Sequence, residues 1–239
     1  MGYFGSKSQA GVFQRIISQM PPHSFYVEPF FGSGQIFRRK LLSAVSVLID
    51  ADAGVLAEFG VDCRRRTAEM TLLADNGGTA ARIRAIAWDA LCELVALKPT
   101  MPHDAVIYCD PPYLLSTRTS LHRYKFEMTD EQHAALLAIL QEMPARVLIS
   151  GYPSPLYAQA LKKWRCISYR TRTRGRTVTE CLWCNFPEPT ELHDWRFIGD
   201  DYRERLNLKR FAARFLARLD GMPELKRNFI LSLVHQRHF

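Results

Sequence analysis

The chain has 239 residues, 47% of them hydrophobic, enough for one sizeable α/β domain with a small appendage. Its formal charge of +8 points to an anionic partner, nucleic acid above all, and a merely solubilising basic surface is the plain alternative. No apolar run is long enough to span a membrane and the N-terminus lacks a signal-peptide pattern, so a cytoplasmic protein without a membrane partner is expected.

In chain order, Phe25 to Pro29 and Val45 to Ile49 read as short buried strands with a helix, Gln35 to Ser43, between them. A helical stretch follows Ala53. Strands are expected at Ile83 to Trp88 and Ala105 to Cys109, then a helix from Asp130 to Glu142 and a strand from Arg146 to Ser150. Thr129 offers that helix an N-cap, with Gln132 completing a capping box. Alternating strands and helices predict a parallel, doubly wound sheet. Trp164 to Arg172 and Thr177 to Phe186 alternate around Arg174-Gly175-Arg176, which predicts a closing antiparallel hairpin. The expected domains are therefore a sheet domain, 1–186, and a basic helical extension, 187–239. From Asp200 onward nine Lys or Arg stand against five Asp or Glu, with Leu208, Phe211, Phe215 and Leu219 on one helical face and Arg203, Arg210, Arg214 and Arg218 on the other. A DNA clamp, a dimer contact and a cover for a sheet edge all fit that pattern.

Six scattered cysteines read as reduced core residues. Cys181 and Cys184 have C-x-x-C spacing but fall on opposite faces of a strand, with no second pair beside them, so no metal is expected.

Chemistry concentrates at strand ends. "FYVEPFFGSGQIF" runs a strand into a Gly-x-Gly turn, which lets backbone approach a ligand; the third glycine of the dinucleotide fingerprint is absent. Asp50 ends the next strand, where a carboxylate can accept both ribose hydroxyls or simply cap a helix. "VIYCDPPY" ends a buried strand on Asp110. Its two prolines remove backbone donors and leave the Pro111 carbonyl available, so a carboxylate, a carbonyl and the ring of Tyr113 can together receive a flat amine such as that of a nucleobase. A rigid turn with a packing tyrosine is the bland alternative for this tripeptide alone.

"YFGSK" at Tyr3 to Lys7, "VEPFFGSG" at Val27 to Gly34, "IDAD" at Ile49 to Asp52, "WDAL" at Trp88 to Leu91 and "DPPY" at Asp110 to Tyr113 resemble, in order, the motifs of the S-adenosylmethionine-dependent DNA adenine N6-methyltransferases of the alpha group. "RYKFEMTDEQH", "VLISGY" and "TECLW" further resemble phage and prophage members. The resemblance covers most of residues 1–185. It implies a Rossmann-like methyltransferase sheet and S-adenosylmethionine as cofactor. Tyr3, Gly5 and Lys7 would help hold the cofactor, Lys7 near its carboxylate; Glu28, Pro29, Phe30, Phe31, Gly32 and Gly34 would line its turn. Asp50 would bind the ribose, and Asp89 would reach the adenine amino group. Asp110 and Pro111 would accept hydrogens from the target N6 amine, with Pro112 shaping the loop and Tyr113 stacking on a base flipped out of double-stranded DNA.

Only about twenty residues separate Asp89 from Asp110, too few for the recognition insertion common in that group. Reading of DNA then falls to Arg118, His122, Arg123 and Lys125 after the catalytic loop and to Arg170, Arg172, Arg174 and Arg176 around the hairpin, with relaxed specificity expected. An N4-cytosine amine, an RNA amine and a catalytically silent nucleic-acid binder are the competing readings. A phage-type orphan enzyme in a bacterial or phage-infected cell, or half of a restriction-modification pair, is the expected setting. Oligomeric state is not legible.

Overall fold

A computed structural model describes residues 7, 11–63, 66–72, 80–118, 125–173 and 176–236. In chain order, α1 (Val12–Ile17) leads into β1 (Phe25–Glu28) and β2 (Val45–Asp50), followed by α2 (Ala53–Glu58), β3 (Thr67–Leu72), β4 (Ala81–Ala87) and α3 (Ala90–Leu97). Then come β5 (Val106–Cys109), α4 (Asp130–Gln141), β6 (Arg146–Gly151), α5 (Pro155–Ala160) and the hairpin β7 (Arg165–Thr173) and β8 (Arg176–Cys184). Two further helices, α6 (Tyr202–Asp220) and α7 (Glu224–Gln236), complete the described elements. The chain divides into two compact units, Met1–Arg196 and Phe197–Phe239.

The first unit is built on an 8-stranded sheet ordered β3-β4-β2-β1-β5-β6-β8-β7. β1 pairs in parallel with β2 and β5, as do β2 with β4 and β5 with β6. β3 joins antiparallel at one edge, and the β7–β8 ribbon joins antiparallel at the other through β6. This is the mostly parallel, Rossmann-like sheet with a terminal antiparallel hairpin that the sequence predicts. The central strands are continuous apolar runs because helices cover both faces. Val27, Val47, Ile49, Ile107, Val147 and Ile149 all lie in one buried cluster, each such side chain worth about 1.5–3 kcal/mol of burial. The strand order reverses between β1 and β5, and a crevice opens at such a switch point outside the carboxyl ends of the strands.

The expected helix from Gln35 to Ser43 does not form. Arg38 N donates to Gly34 O at 2.9 Å and Lys40 N to Ile36 O at 3.0 Å, but the segment continues as turns. Lys40 explains the stop: its ammonium turns inward to the Leu41 carbonyl and the Ser43 hydroxyl, both 2.8 Å away, and its side chain is buried. α1, β3, α3 and α5 lie where no element is expected from the sequence, each being short or weakly periodic. The helix after Thr129 forms with its full capping box: Thr129 N donates to Gln132 Oε1 at 2.8 Å and Gln132 N to Thr129 Oγ1 at 3.3 Å. Cys92 and Cys166 are exposed, so the cysteines are not uniformly core residues.

In the second unit the continuous helical pattern is broken at Gly221–Pro223, because proline cannot continue a helix. Asp201 caps α6 by accepting from Glu204 N at 2.8 Å. Of the apolar face expected there, Leu219 is buried, whereas Phe211 and Phe215 stack on one another at 6.4 Å and are exposed. No helix among the described residues is long and apolar enough to cross a membrane.

Candidate active site

The Gly-x-Gly turn after β1 is held at both ends. Phe31 N donates to Ile49 O at 2.9 Å, and Gly34 N to Phe31 O at 2.8 Å, which curls the chain back over the strand end. Gly32 and Gly34 have φ of 50° and 63°, a region that suits glycine. At Gly34 a Cβ would stand 2.3 Å from Cζ of Phe31, whose ring packs edge-on against Phe37 and Phe59. Gly34→Ala is therefore expected to lose roughly 2–4 kcal/mol of stability through backbone strain and ring displacement. Urea denaturation measures it; a loss below about 1 kcal/mol would show that the turn relaxes freely.

Asp50 ends β2 beneath this turn. Its Oδ2 accepts from Gly32 N and its Oδ1 from Asp52 N, each at 2.8 Å. Burial raises its pKa, and the two backbone donors oppose the rise. The helix-cap role falls to Asp52, which accepts from Gly54 N at 3.0 Å. Asp89 caps α3, accepting from Cys92 N at 2.8 Å.

A cavity of about 450 Å3 opens over these strand ends. Glu28, Pro29, Phe30, Phe31 and Gly32 line it from β1, Asp50 from β2, Asp89 from β4, and Asp110 and Pro112 from β5, with Lys7 beside them. Gly34, Pro111 and Tyr113 are not among its lining residues. The lining candidates converge although 82 positions separate Glu28 from Asp110. Phe126 and Met128 complete an apolar side that sequence reading did not assign. Tyr3 and Gly5 lie outside the described residues.

Glu28 is buried and its Oε2 accepts the Tyr26 hydroxyl at 2.8 Å. Burial, reinforced by Asp110, lifts its pKa to about 8 against the pull of the Tyr26 hydroxyl. Lys7 is buried beside Asp110: its Nζ stands 3.0 Å from Asp110 Oδ1 and 3.4 Å from Glu180 Oε2, donates to the Tyr113 hydroxyl, and lies 4.8 Å from the centre of that ring. Burial works against the Lys7 charge, but the two carboxylates outweigh it and raise its pKa. Burial raises that of Asp110 too, and Lys7 opposes the rise. Tyr113 is buried, with Tyr152 edge-on at 4.5 Å.

Glu180 was missed by sequence reading. It sits on β8, directly across from Tyr169, whose hydroxyl donates to Glu180 Oε2 at 3.2 Å. A signal existed: in Val178, Glu180, Leu182 a carboxylate occupies the position where strand alternation calls for an inward side chain.

The basic candidates are dispersed. Arg118 has a side chain 1% exposed and grips Glu127, Nη1 to Oε1 at 3.2 Å and Nη2 to Oε2 at 2.5 Å. Lys125, at the cavity wall, pairs with Asp52 at 2.9 Å. Arg170 and Arg172 are exposed on β7, on the face opposite buried Tyr169 and Thr171. Arg176 opens β8 across from Thr173. His122, Arg123 and Arg174 lie outside the described residues.

Residues 80–173 match the family described as D12 class N6 adenine-specific DNA methyltransferase. No curated protein matches the chain significantly. Solved structures that resemble it include a SAM-dependent methyltransferase from Agrobacterium tumefaciens, 12% identical with a TM-score of 0.44 over 72% of this chain; the present chain spans only 58% of that one. The magnesium protoporphyrin IX methyltransferase of Synechocystis with bound SAM is 11% identical with a TM-score of 0.42, covering 75% of this chain and 78% of that one. Precorrin 8W decarboxylase from Methanobacterium thermoautotrophicum is 10% identical with a TM-score of 0.43, covering 75% and 90%.

Proposed function

We propose, on the premise that residues 80–173 are a D12-type methyltransferase segment, that the protein transfers a methyl group from S-adenosylmethionine to the N6 amine of adenine in DNA. The observation that carries the reading is Asp110, a carboxylate projecting into the cavity directly ahead of Pro111, Pro112 and Tyr113.

The cavity fits the cofactor chemically. Asp50, fixed by two backbone donors, is placed for the ribose hydroxyls. Phe30, Leu91, Phe126 and Met128 offer an apolar slot for an adenine, with Asp89 at its edge. The Gly32 turn and Glu28 border the space left for the amino-acid end. Bound S-adenosylmethionine supplies an electrophilic methyl group on its sulfonium.

Asp110 and the Pro111 carbonyl accept the two hydrogens of the target amine, which turns the nitrogen lone pair toward the methyl donor. As positive charge develops on that nitrogen, the Asp110 carboxylate stabilises it in a water-poor pocket. The proton leaves through the same hydrogen bond. Tyr113 supplies the ring that receives the base. A base within a duplex reaches this depth only by leaving the stack, so we assign base flipping to the reaction.

Transfer of tritium from labelled S-adenosylmethionine to unmethylated duplex DNA tests the reading. Label in RNA but not DNA would contradict it. With no recognition insertion between Asp89 and Asp110, methylated random DNA should show a short consensus of adenine and a neighbour. A strict site of four or more base pairs would contradict that expectation, on the scale of about 1–3 kcal/mol per base pair read. We place residues 187–239 outside the catalytic domain, as a basic helical extension.

A further inference from the structure

Lys7 fills a place that the proposed reaction needs. The Lys7 ammonium donates to the Tyr113 hydroxyl and pairs with Asp110 Oδ1 at 3.0 Å and Glu180 Oε2 at 3.4 Å, as many partners as it has donors. It also overlies the Tyr113 ring. Two of these partners are the groups assigned above to the amine and the ring of the target base. A base entering the site must take Asp110 and Tyr113 from Lys7.

The geometry points to Glu180 as the positioning residue that retains the Lys7 ammonium when the target amine takes its place on Asp110. This rests on the reading of Asp110 and Tyr113 given above. Glu180 is itself held in place, since it is buried, lies within the β7–β8 ladder and accepts the Tyr169 hydroxyl. The Tyr169 ring is in turn covered by the Arg15 guanidinium at 5.5 Å. At 3.4 Å from Glu180, the ammonium needs only a small shift to pair with it fully. Without Glu180 the displaced cation would be buried and unpaired, a heavy penalty against base entry. Keeping the cation close serves Asp110 as well. The carboxylate is faced by Lys7, Glu180, Tyr108, Tyr113 and Glu28, and Lys7 alone among them favours its ionised form by charge.

The test compares wild type, Glu180→Gln, Lys7→Met and the double variant in methyl transfer and in cofactor binding. Glu180→Gln should raise the KM for DNA about tenfold through the unpaired ammonium, while the cofactor Kd stays within about twofold. In the Lys7→Met background there is no cation to retain, so the same change should cost less than about twofold, a non-additivity that a merely structural role would not produce. If Glu180→Gln fails to fold, Tyr169→Phe, which removes the donor fixing Glu180, should raise the KM for DNA in the same direction by a smaller factor. Normal wild-type turnover with Glu180→Gln unaffected, or with costs that multiply in the double variant, overturns this assignment alone. A wild type that moves no label to DNA overturns the reading of Asp110 along with it.

Discussion

Replacing Asp110 with alanine should lower kcat for methyl transfer by about 100- to 1000-fold while leaving cofactor affinity nearly intact, since preorganised stabilisation of developing charge is commonly worth that much per group. The side chain at this position has two separable roles, accepting a hydrogen from the amine and opposing the charge that forms on it. Asp110→Asn keeps an acceptor oxygen and loses the charge, so its kcat should fall in between, by roughly 10- to 100-fold. Burial, opposed by Lys7, raises the Asp110 pKa from its ordinary value. The wild-type rate should therefore decline on the acid side at a higher pH than an ordinary aspartate would give, and this limb should vanish in Asp110→Asn. Equal rates for wild type and both variants would remove Asp110 from the chemistry.

Glu28→Gln should stabilise the protein increasingly as pH rises. The folded-state pKa of Glu28 is about 8 against an ordinary 4.5. Below 4.5 both folded and unfolded chains hold the proton and the site is neutral to stability. Between 4.5 and about 8 only the unfolded chain releases it, so stability falls by about 1.4 kcal/mol per pH unit, to a ceiling of about 5 kcal/mol. Above about 8 the deficit is constant. The Tyr26 hydroxyl, Lys40 and the Phe37 backbone N–H favour the ionised form of this carboxyl and Asp110 opposes it, with Tyr108 and Cys109 also facing it; burial lowers the Lys40 pKa to about 7, so the help from Lys40 fades over the same pH window. Glutamine keeps an acceptor for the Tyr26 hydroxyl and carries no proton to lose. Melting temperatures of the two proteins should coincide near about pH 4 and diverge steadily to about pH 9. A constant difference at every pH would show that Glu28 does not titrate out of its usual range. Natural sequences hold such destabilised groups at functional sites, and a more stable but less active Glu28→Gln would fit that trade-off.

The central sheet was legible because its strands are unbroken apolar runs ending in turn residues, and the site followed from it. Glu28, Gly32, Asp50, Asp89 and Asp110 each sit at or just beyond a strand end, and a doubly wound sheet brings such ends together. Other parts were hidden for physical reasons. The stretch from Gln35 to Ser43 carries helical periodicity, yet the burial of Lys40 against a backbone carbonyl stops the helix. β3 is an edge strand with half its side chains exposed, so its composition is barely apolar. Glu180 belongs to a strand whose charged residue finds its partners, Lys7 and Tyr169, only in three dimensions. Arg118 looks like a phosphate contact in sequence, but Glu127, nine positions on, encloses its guanidinium. Local charge patterns reveal which residues can bind an anion and conceal which already have one.

The most direct measurement is the nucleoside composition of DNA after incubation with the protein and labelled S-adenosylmethionine. Label recovered as N6-methyldeoxyadenosine, and absent when Asp110 is replaced by alanine, is the predicted result. Label in N4-methyldeoxycytidine, or none in DNA from a protein that binds the cofactor, would contradict the account.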